Sequence, residues 1–291
     1  MATARQWMEG TRPRTLPAAV APVLAGTGAA AYASAFVWWK ALLCLGVSLL
    51  LQIGVNYAND YSDGVRGTDA DRVGPMRLVG SGAAAPAAVR FAAFGCLGVG
   101  AALGLVLAAT SSWWLLLVGA AAIAAAWFYT GGSRPYGYRA FGEVSVFVFF
   151  GIVAVLGTTF TQAGRLTWPS LAAGVGVGAL ACAILVANNL RDIATDNATG
   201  KRTLAVVMGE SATRLLYVAL LAVALACVAC LAVAFTPWAL LGLLAVPFAA
   251  RAYVAIAGGT TGLGLVSVLR DTSLAELVYA VGVAAGLTIG A

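Results

Sequence analysis

The sequence has no histidine, few charges and few cysteines. Without histidine there is no imidazole metal ligand, no Ser-His nucleophile and no imidazole proton shuttle. Only 10% of the 291 residues are charged and 62% are hydrophobic, against roughly 25% and 45–50% in soluble domains. With a mean hydropathy of +0.93, this excludes a water-soluble enzyme and a disordered tail. The five cysteines, Cys44, Cys96, Cys182, Cys227 and Cys230, all lie in apolar runs, which excludes a secreted disulfide scaffold. Cys227 and Cys230 form a CxxC inside LAVALACVACLAVAF, where they read as small packing residues. MATARQWMEGTRPRTLP carries no signal-cleavage pattern, so the first apolar segment is expected to stay.

What is present is a series of long charge-free runs. A spanning helix needs ~20 largely apolar residues. The runs predict an all-α, polytopic membrane helical bundle of about nine transmembrane helices, one integral-membrane domain over residues 1–291. The expected spans are Thr15–Trp39, Ala41–Asn59, two within Phe91–Ser133 broken at Thr110-Ser111-Ser112, Val144–Gly164, Leu166–Leu190, two within Leu215–Ala257 broken at Thr236-Pro237, and Ser273–Ala291. Leu263–Leu269 is too short to span and reads as a loop or interfacial helix. Of the 17 basic residues, only Lys40 and Arg165 fall on one face, so the other face is expected to be cytoplasmic. The basic residues follow this topology, and no nucleic-acid partner is expected. All 11 acidic residues map to the same cytoplasmic face, Glu276 near it, and none to mid-membrane.

Acids and bases at the same helix ends describe a site. After the second span runs N56-Y-A-N-D-Y-S-D-G-V-R-G-T-D69, in which Asn56, Asp60 and Asp63 share one helix face and Asn59 is one residue off it. After the sixth runs N188-N-L-R-D-I-A-T-D196, with Asn188, Asp192 and Asp196 spaced by four. Both lie at helix C-termini, where the macrodipole is negative and clustered carboxylates need cations. Hard oxygen donors suit Mg²⁺, which takes one or two carboxylates plus phosphate oxygens. Two acidic arrays with nearby Arg and Lys describe a diphosphate site, and the apolar bundle has room for an isoprenoid tail. Neutralising a leaving diphosphate lets a C–O bond ionise. Tyr57, Tyr61, Trp127, Tyr129, Tyr136 and Tyr138 are candidates to face the resulting allylic cation. The competing class is a cation or lipid transporter, which calls for mid-membrane polar residues and two-sided loops.

These residues resemble the UbiA superfamily of intramembrane aromatic prenyltransferases. The likeness covers nearly the whole chain. Within that superfamily, RPRTLPAAVAPVLAGTGAA (12–30), NDYSDGVRGTD (59–69) running into GPMRLVGSG (74–82), YTGGSRPYGYRAFGEVSVFVFFG (129–151) and NNLRDIATDNATGKRTLAVVMG (188–209) look most like the branch acting on 1,4-dihydroxy-2-naphthoate. The resemblance implies Mg²⁺-dependent transfer from polyprenyl diphosphate to that acceptor with loss of CO2, giving demethylmenaquinone, in a bacterial inner membrane. It implies Mg²⁺ and diphosphate roles for Asp60, Asp63, Asp192 and Asp196, with Asn56 and Asn188 beside them and Asp69 a lesser candidate. The first array departs from a plain four-residue repeat, since position 64 is Gly. Lys201, Arg202, Arg77 and Arg134 are the expected diphosphate partners. Arg12 is the expected partner of the acceptor carboxylate, with Tyr129 and Tyr138 at the acceptor. Glu143 is expected to serve a helix N-terminus or to orient Arg139. Other acceptors, such as 4-hydroxybenzoate or homogentisate, remain alternatives.

Overall fold

The structure, a computed structural model, describes residues 2–67 and 76–291. The motif residue Asp69, with Asp71 and Arg72 beyond it, lies outside the described residues. In hydrocarbon a backbone must satisfy its own hydrogen bonds, so apolar runs of this length become helices. In chain order they are α1 (Ala4–Gly10), α2 (Pro17–Tyr32), α3 (Trp38–Arg66), α4 (Pro86–Thr110), α5 (Trp114–Phe128), α6 (Gly142–Val146), α7 (Ala154–Ala163), α8 (Trp168–Ala198), α9 (Leu204–Met208), α10 (Glu210–Ala234), α11 (Val246–Ala257) and α12 (Leu265–Ile289). A π-helical stretch, Phe147–Val153, joins α6 to α7, and a 3-10 stretch, Pro237–Ala245, leads into α11.

Among the described residues, seven stretches are long and apolar enough to cross a membrane. The pair Ala4–Thr15 and Pro17–Tyr32, bent by 50°, makes an eighth. Leu115–Phe128 is apolar but shorter, reaching about 21 Å at 1.5 Å per residue. Counting it gives nine. The breaks fall where polar residues and proline interrupt the runs, after Thr110 and before Pro237.

The last helix differs from expectation. It starts at Leu265 rather than Ser273, because nothing between the Gly262–Gly264 turn and Arg270 breaks it, and because Asp271 finds partners inside the fold. Its carboxylate is 3.0 Å from Arg270 and 3.7 Å from Arg251 of α11. The longer helix moves Glu276 away from the membrane boundary. It stands eleven residues into α12 and is fully buried, about 16 Å along the axis. One acid therefore does sit at mid-membrane depth, between helices and away from the central cavity described below.

Small residues set the helix spacing. A Cβ on Gly28 of α2 would lie 2.4 Å from the Ala284 Cα of α12, and one on Gly282 would lie 2.2 Å from the Leu241 carbonyl oxygen. Close backbone approach gives dispersion contact where no hydrophobic force acts between helices. α8 and α12 carry most of the resulting core.

Two polar devices frame the interior. At one end, Thr11 to Thr15 form an elbow between α1 and α2, and Arg12 there is left-handed at φ 53°. The α3 side chains hold this elbow: Gln52 donates to Thr15 Oγ1 at 2.9 Å and Asn56 donates to the Thr11 carbonyl at 2.8 Å. At the other end, Lys40 Nζ donates to the carbonyls of Thr110 (3.0 Å) and Thr161 (2.7 Å) and to Ser111 Oγ (3.0 Å). One cation thereby caps the C-terminal ends of α4 and α7. Lys40→Met is expected to destabilise the protein by about 1–3 kcal/mol without moving any substrate KM. Thermal unfolding in detergent checks this, and an unchanged midpoint would contradict it.

Candidate active site

A cavity of about 900 Å³ runs through the interior. Its deep part is apolar, passing Phe149 and Phe150 of the π-helical stretch toward Leu107, Cys44 and Thr161 at the Lys40 end. Its other end is lined by charge: Arg12, Arg14, Arg77, Arg191, Lys201 and Arg270, with Asp63 and Glu9 as the acids.

α3 brings Asn56, Asn59 and Asp63 to this end, and α8 brings Asn188, Asn189 and Arg191. Asp63 and Asn59 are four apart and share a face, matching the Asn188–Asp192 spacing on α8. The pair on α3 that matches it is therefore Asn59–Asp63, three residues later than Asn56–Asp60. Asp60 is placed differently from the expectation. It does not line the cavity; its two carboxylate oxygens accept the backbone N–H groups of Leu78 (2.8 Å) and Val79 (2.9 Å). It anchors the segment after α3, whose Leu78 is buried against Gly10 and Tyr57.

Asp192 and Asp196, like Asp60, are not among the residues lining the cavity, and neither is Tyr138, expected at the acceptor. The remaining acids are held by named partners. Tyr138 donates to Asp63 Oδ1 at 2.5 Å. The Tyr138 ring lies 5.3 Å from Lys201 Nζ and 5.5 Å from the Arg66 guanidinium. Arg66 also donates to the carbonyls of Thr130 and Gly132. Lys201 Nζ is 3.5 Å from Asp196. Arg191 forks onto Asp192, with Nε and Nη2 each 2.7 Å from a carboxylate oxygen, and Nη2 donates to Asn188 Oδ1 at 2.8 Å. A bidentate pair of this kind is the strong form of ion pairing.

Arg12 has a buried Nη2 with no partner, and it faces the cavity from a strained backbone. Strain of order 1–3 kcal/mol at a cavity-lining residue is a pointer to function. Tyr129 and Tyr136 line the cavity, and burial pushes both phenols up from their ordinary value, so both are neutral hydroxyls. Tyr61, Trp127 and Phe94 stack on one another instead, and Tyr57 packs edge-on to Trp7. Arg134 and Arg202 are exposed and outside the cavity; the Arg202 backbone N–H donates to the Tyr138 carbonyl at 3.2 Å. Glu143 opens α6, as the helix-end reading expects, but its side chain is buried and turned to α8, where Asn189 donates to it at 2.9 Å.

Asn59, Asn189, Arg191 and Arg270 line the cavity and were passed over in the motif reading. Aligning the two Asn-x-x-x-Asp arrays on each other would have found Asn59. Nothing in the spacing marks Arg270, because it belongs to the two helical turns read as a loop.

Among the described residues, no three carboxyl or thiol side chains gather closely enough to hold a metal by themselves. The donor set is hard oxygen in two separate arrays. It fits Mg²⁺ only with phosphate oxygens completing the shell.

The sequence profile of the UbiA prenyltransferase family matches residues 19–269. The chain is 60% identical to a 1,4-dihydroxy-2-naphthoate octaprenyltransferase of Mycobacterium tuberculosis over 290 residues, covering 100% of this chain and 99% of that protein. It is 38% identical to the protein of the same name in Escherichia coli over 257 residues, 83% of this chain and 81% of that one. The fold is similar to that of an apo UbiA homolog from Aeropyrum pernix (TM-score 0.70, 16% identity, 94% and 97% coverage). It is also similar to a UbiA homolog from Archaeoglobus fulgidus bound to GPP and Mg²⁺ (TM-score 0.67, 14% identity, 95% and 99% coverage).

Because Asp60 holds Leu78 and Val79 through their N–H groups, Asp60→Ala is expected to speed hydrogen exchange of those two amides at least about tenfold. Exchange mass spectrometry of the 76–84 peptide checks this, and unchanged exchange would contradict the anchor.

Proposed function

The chain belongs to the UbiA prenyltransferase family and is a membrane prenyltransferase; from that premise, we propose that it transfers a polyprenyl group from polyprenyl diphosphate to 1,4-dihydroxy-2-naphthoate with loss of CO2. The observation that carries this reading is the half-buried Arg12, whose Nη2 is buried without a partner, at the charged mouth of a long apolar cavity. The names of the relatives above support the same acceptor.

The donor's tail occupies the apolar cavity between α3, α5 and the π-helical stretch. Its diphosphate lies at the charged end. Lys201, Arg191 and Arg77 line that end and supply cationic donors. Asn59 and Asn188 have their carbonyl oxygens committed to Thr130 and Arg191, so they present amide N–H groups to it. Asp63, Asp192 and Asp196 are the carboxylates that would hold Mg²⁺, with Asp60 holding the loop. Bound there, Mg²⁺ supplies charge neutralisation for the departing diphosphate.

Arg12 pairs with the acceptor carboxylate and orients the ring over the C1 carbon of the donor. The C–O bond to diphosphate breaks heterolytically, leaving an allylic cation beside the neutral rings of Tyr129 and Tyr136. The electron-rich ring forms the new C–C bond. The electron pair of the ring–carboxylate bond restores aromaticity as CO2 leaves, so the step needs no protein base. The charge distribution supports a cytoplasmic site in a bacterial inner membrane.

Purified protein with Mg²⁺ and a polyprenyl diphosphate is expected to release CO2 and prenylate 1,4-dihydroxy-2-naphthoate. EDTA and Asp63→Ala are each expected to abolish turnover. Arg12→Ala is expected to raise the acceptor KM about tenfold or more, the worth of a lost charge-assisted pair, with the donor KM unmoved. Turnover of 4-hydroxybenzoate alone would overturn the acceptor and keep the transfer chemistry.

A further inference from the structure

The charged end of the cavity is rich in cationic side chains, and among the side chains lining it Gln52 has a buried Oε1 without a partner. Arg12, Arg77, Arg191, Lys201 and Arg270 line it, and so do Asn59 and Asn188, whose carbonyl oxygens accept from Thr130 and Arg191. A phenolic acceptor brings O–H groups, which need oxygens to donate to. Asn189 is the residue on α8 that supplies one. It lines the cavity, and its Nδ2 donates to Glu143 Oε1 at 2.9 Å, which turns the amide nitrogen toward α6.

That orientation is maintained from behind. Glu143 is 7% exposed and Asn189 4%, and Glu143 Oε2 is buried without a partner. Burying a carboxyl group with one oxygen unpaired is costly. A hydrophobic residue at 143 would avoid the cost and leave the Asn189 amide free to turn its N–H groups inward.

We propose that Glu143 is a positioning residue for the aromatic acceptor: it fixes the Asn189 amide so that its carbonyl oxygen receives a ring hydroxyl. Asn56 is the counterpart on α3. Its Nδ2 is committed to the Thr11 carbonyl at 2.8 Å and Thr15 Oγ1 at 3.1 Å, so it too presents a carbonyl oxygen. Two oriented carbonyls, one on each acidic-motif helix, suit a ring carrying two hydroxyls. The inference rests on the reading that the acceptor is a hydroxylated aromatic acid.

The test is steady-state kinetics with acceptor and donor varied separately. Glu143→Leu is expected to raise the acceptor KM about tenfold, while the donor KM and the Mg²⁺ half-saturation stay within about twofold. Glu143→Gln still offers Asn189 an oxygen, and is expected to restore the acceptor KM to within about threefold. Asn189→Ala leaves α6 intact and is expected to give the same rise as Glu143→Leu. The double variant is expected to add nothing, since the two residues act as one unit. If Glu143→Leu does not fold, the Gln and Asn189→Ala arms carry the test. An acceptor KM that stays at the wild-type value in Asn189→Ala, donor and acceptor KM rising together, or failure of Gln to rescue would each overturn the proposal. Wild-type turnover is read in the same plates, so a wrong acceptor shows there and is distinguished from a wrong role for Glu143.

Discussion

Carboxylates gathered at one end of an apolar bundle have to be compensated from inside the protein. Hydrocarbon solvates nothing, and the C-terminal helix dipoles of α3 and α8 add negative potential where the acids stand. The fold answers with three kinds of partner. Asp60 takes two backbone amides, Asp63 takes a tyrosine hydroxyl backed by Lys201 and Arg66, and Asp192 takes a forked arginine. These pairings decide much else. They bring the segment around Leu78 onto α3, draw the loop after α5 over the site through Tyr138, and leave the cavity mouth cationic.

The same constraint separates two aspartates that are three residues apart. Asp60 and Asp63 differ by about 60° around α3, enough to send one toward a loop and the other toward the cavity. The anchoring aspartate ties down the segment around Leu78, and the other lines the cavity with Tyr138 bonded to it. Arg12 follows a related logic at the α1–α2 elbow. Asn56 and Gln52 hold that elbow in place, and the strained backbone leaves Arg12, with a buried Nη2 that has no partner, lining the cavity.

The membrane bundle was legible in the charge-free runs, and the breaks at Thr110 and Pro237 followed from polar residues and proline. The existence of two acidic arrays on the second and sixth spans was equally legible. Which acid of the first array faces the cavity was not. A helix face acquires meaning only from what packs on it, and the amides that capture Asp60 come from residues 18 and 19 positions further along. The start of α12 was misjudged because Arg270 and Asp271 look like loop charges. Their pairing, with Arg251 beside them, is a tertiary fact. Glu276 at mid-depth is a consequence of that shift. Glu143 shows a further limit: its place in the first turn of α6 was readable, but its hydrogen bond to Asn189 across α8 was not.

The division of labour between Asp60 and Asp63 is tested most directly by calorimetric titration of a non-reactive prenyl thiodiphosphate into the detergent-solubilised protein, with and without Mg²⁺. Binding is predicted to require Mg²⁺, to be lost in Asp63→Asn and to persist in Asp60→Asn with a modestly weakened affinity. Mg²⁺-independent binding, or equal loss in both variants, would contradict it.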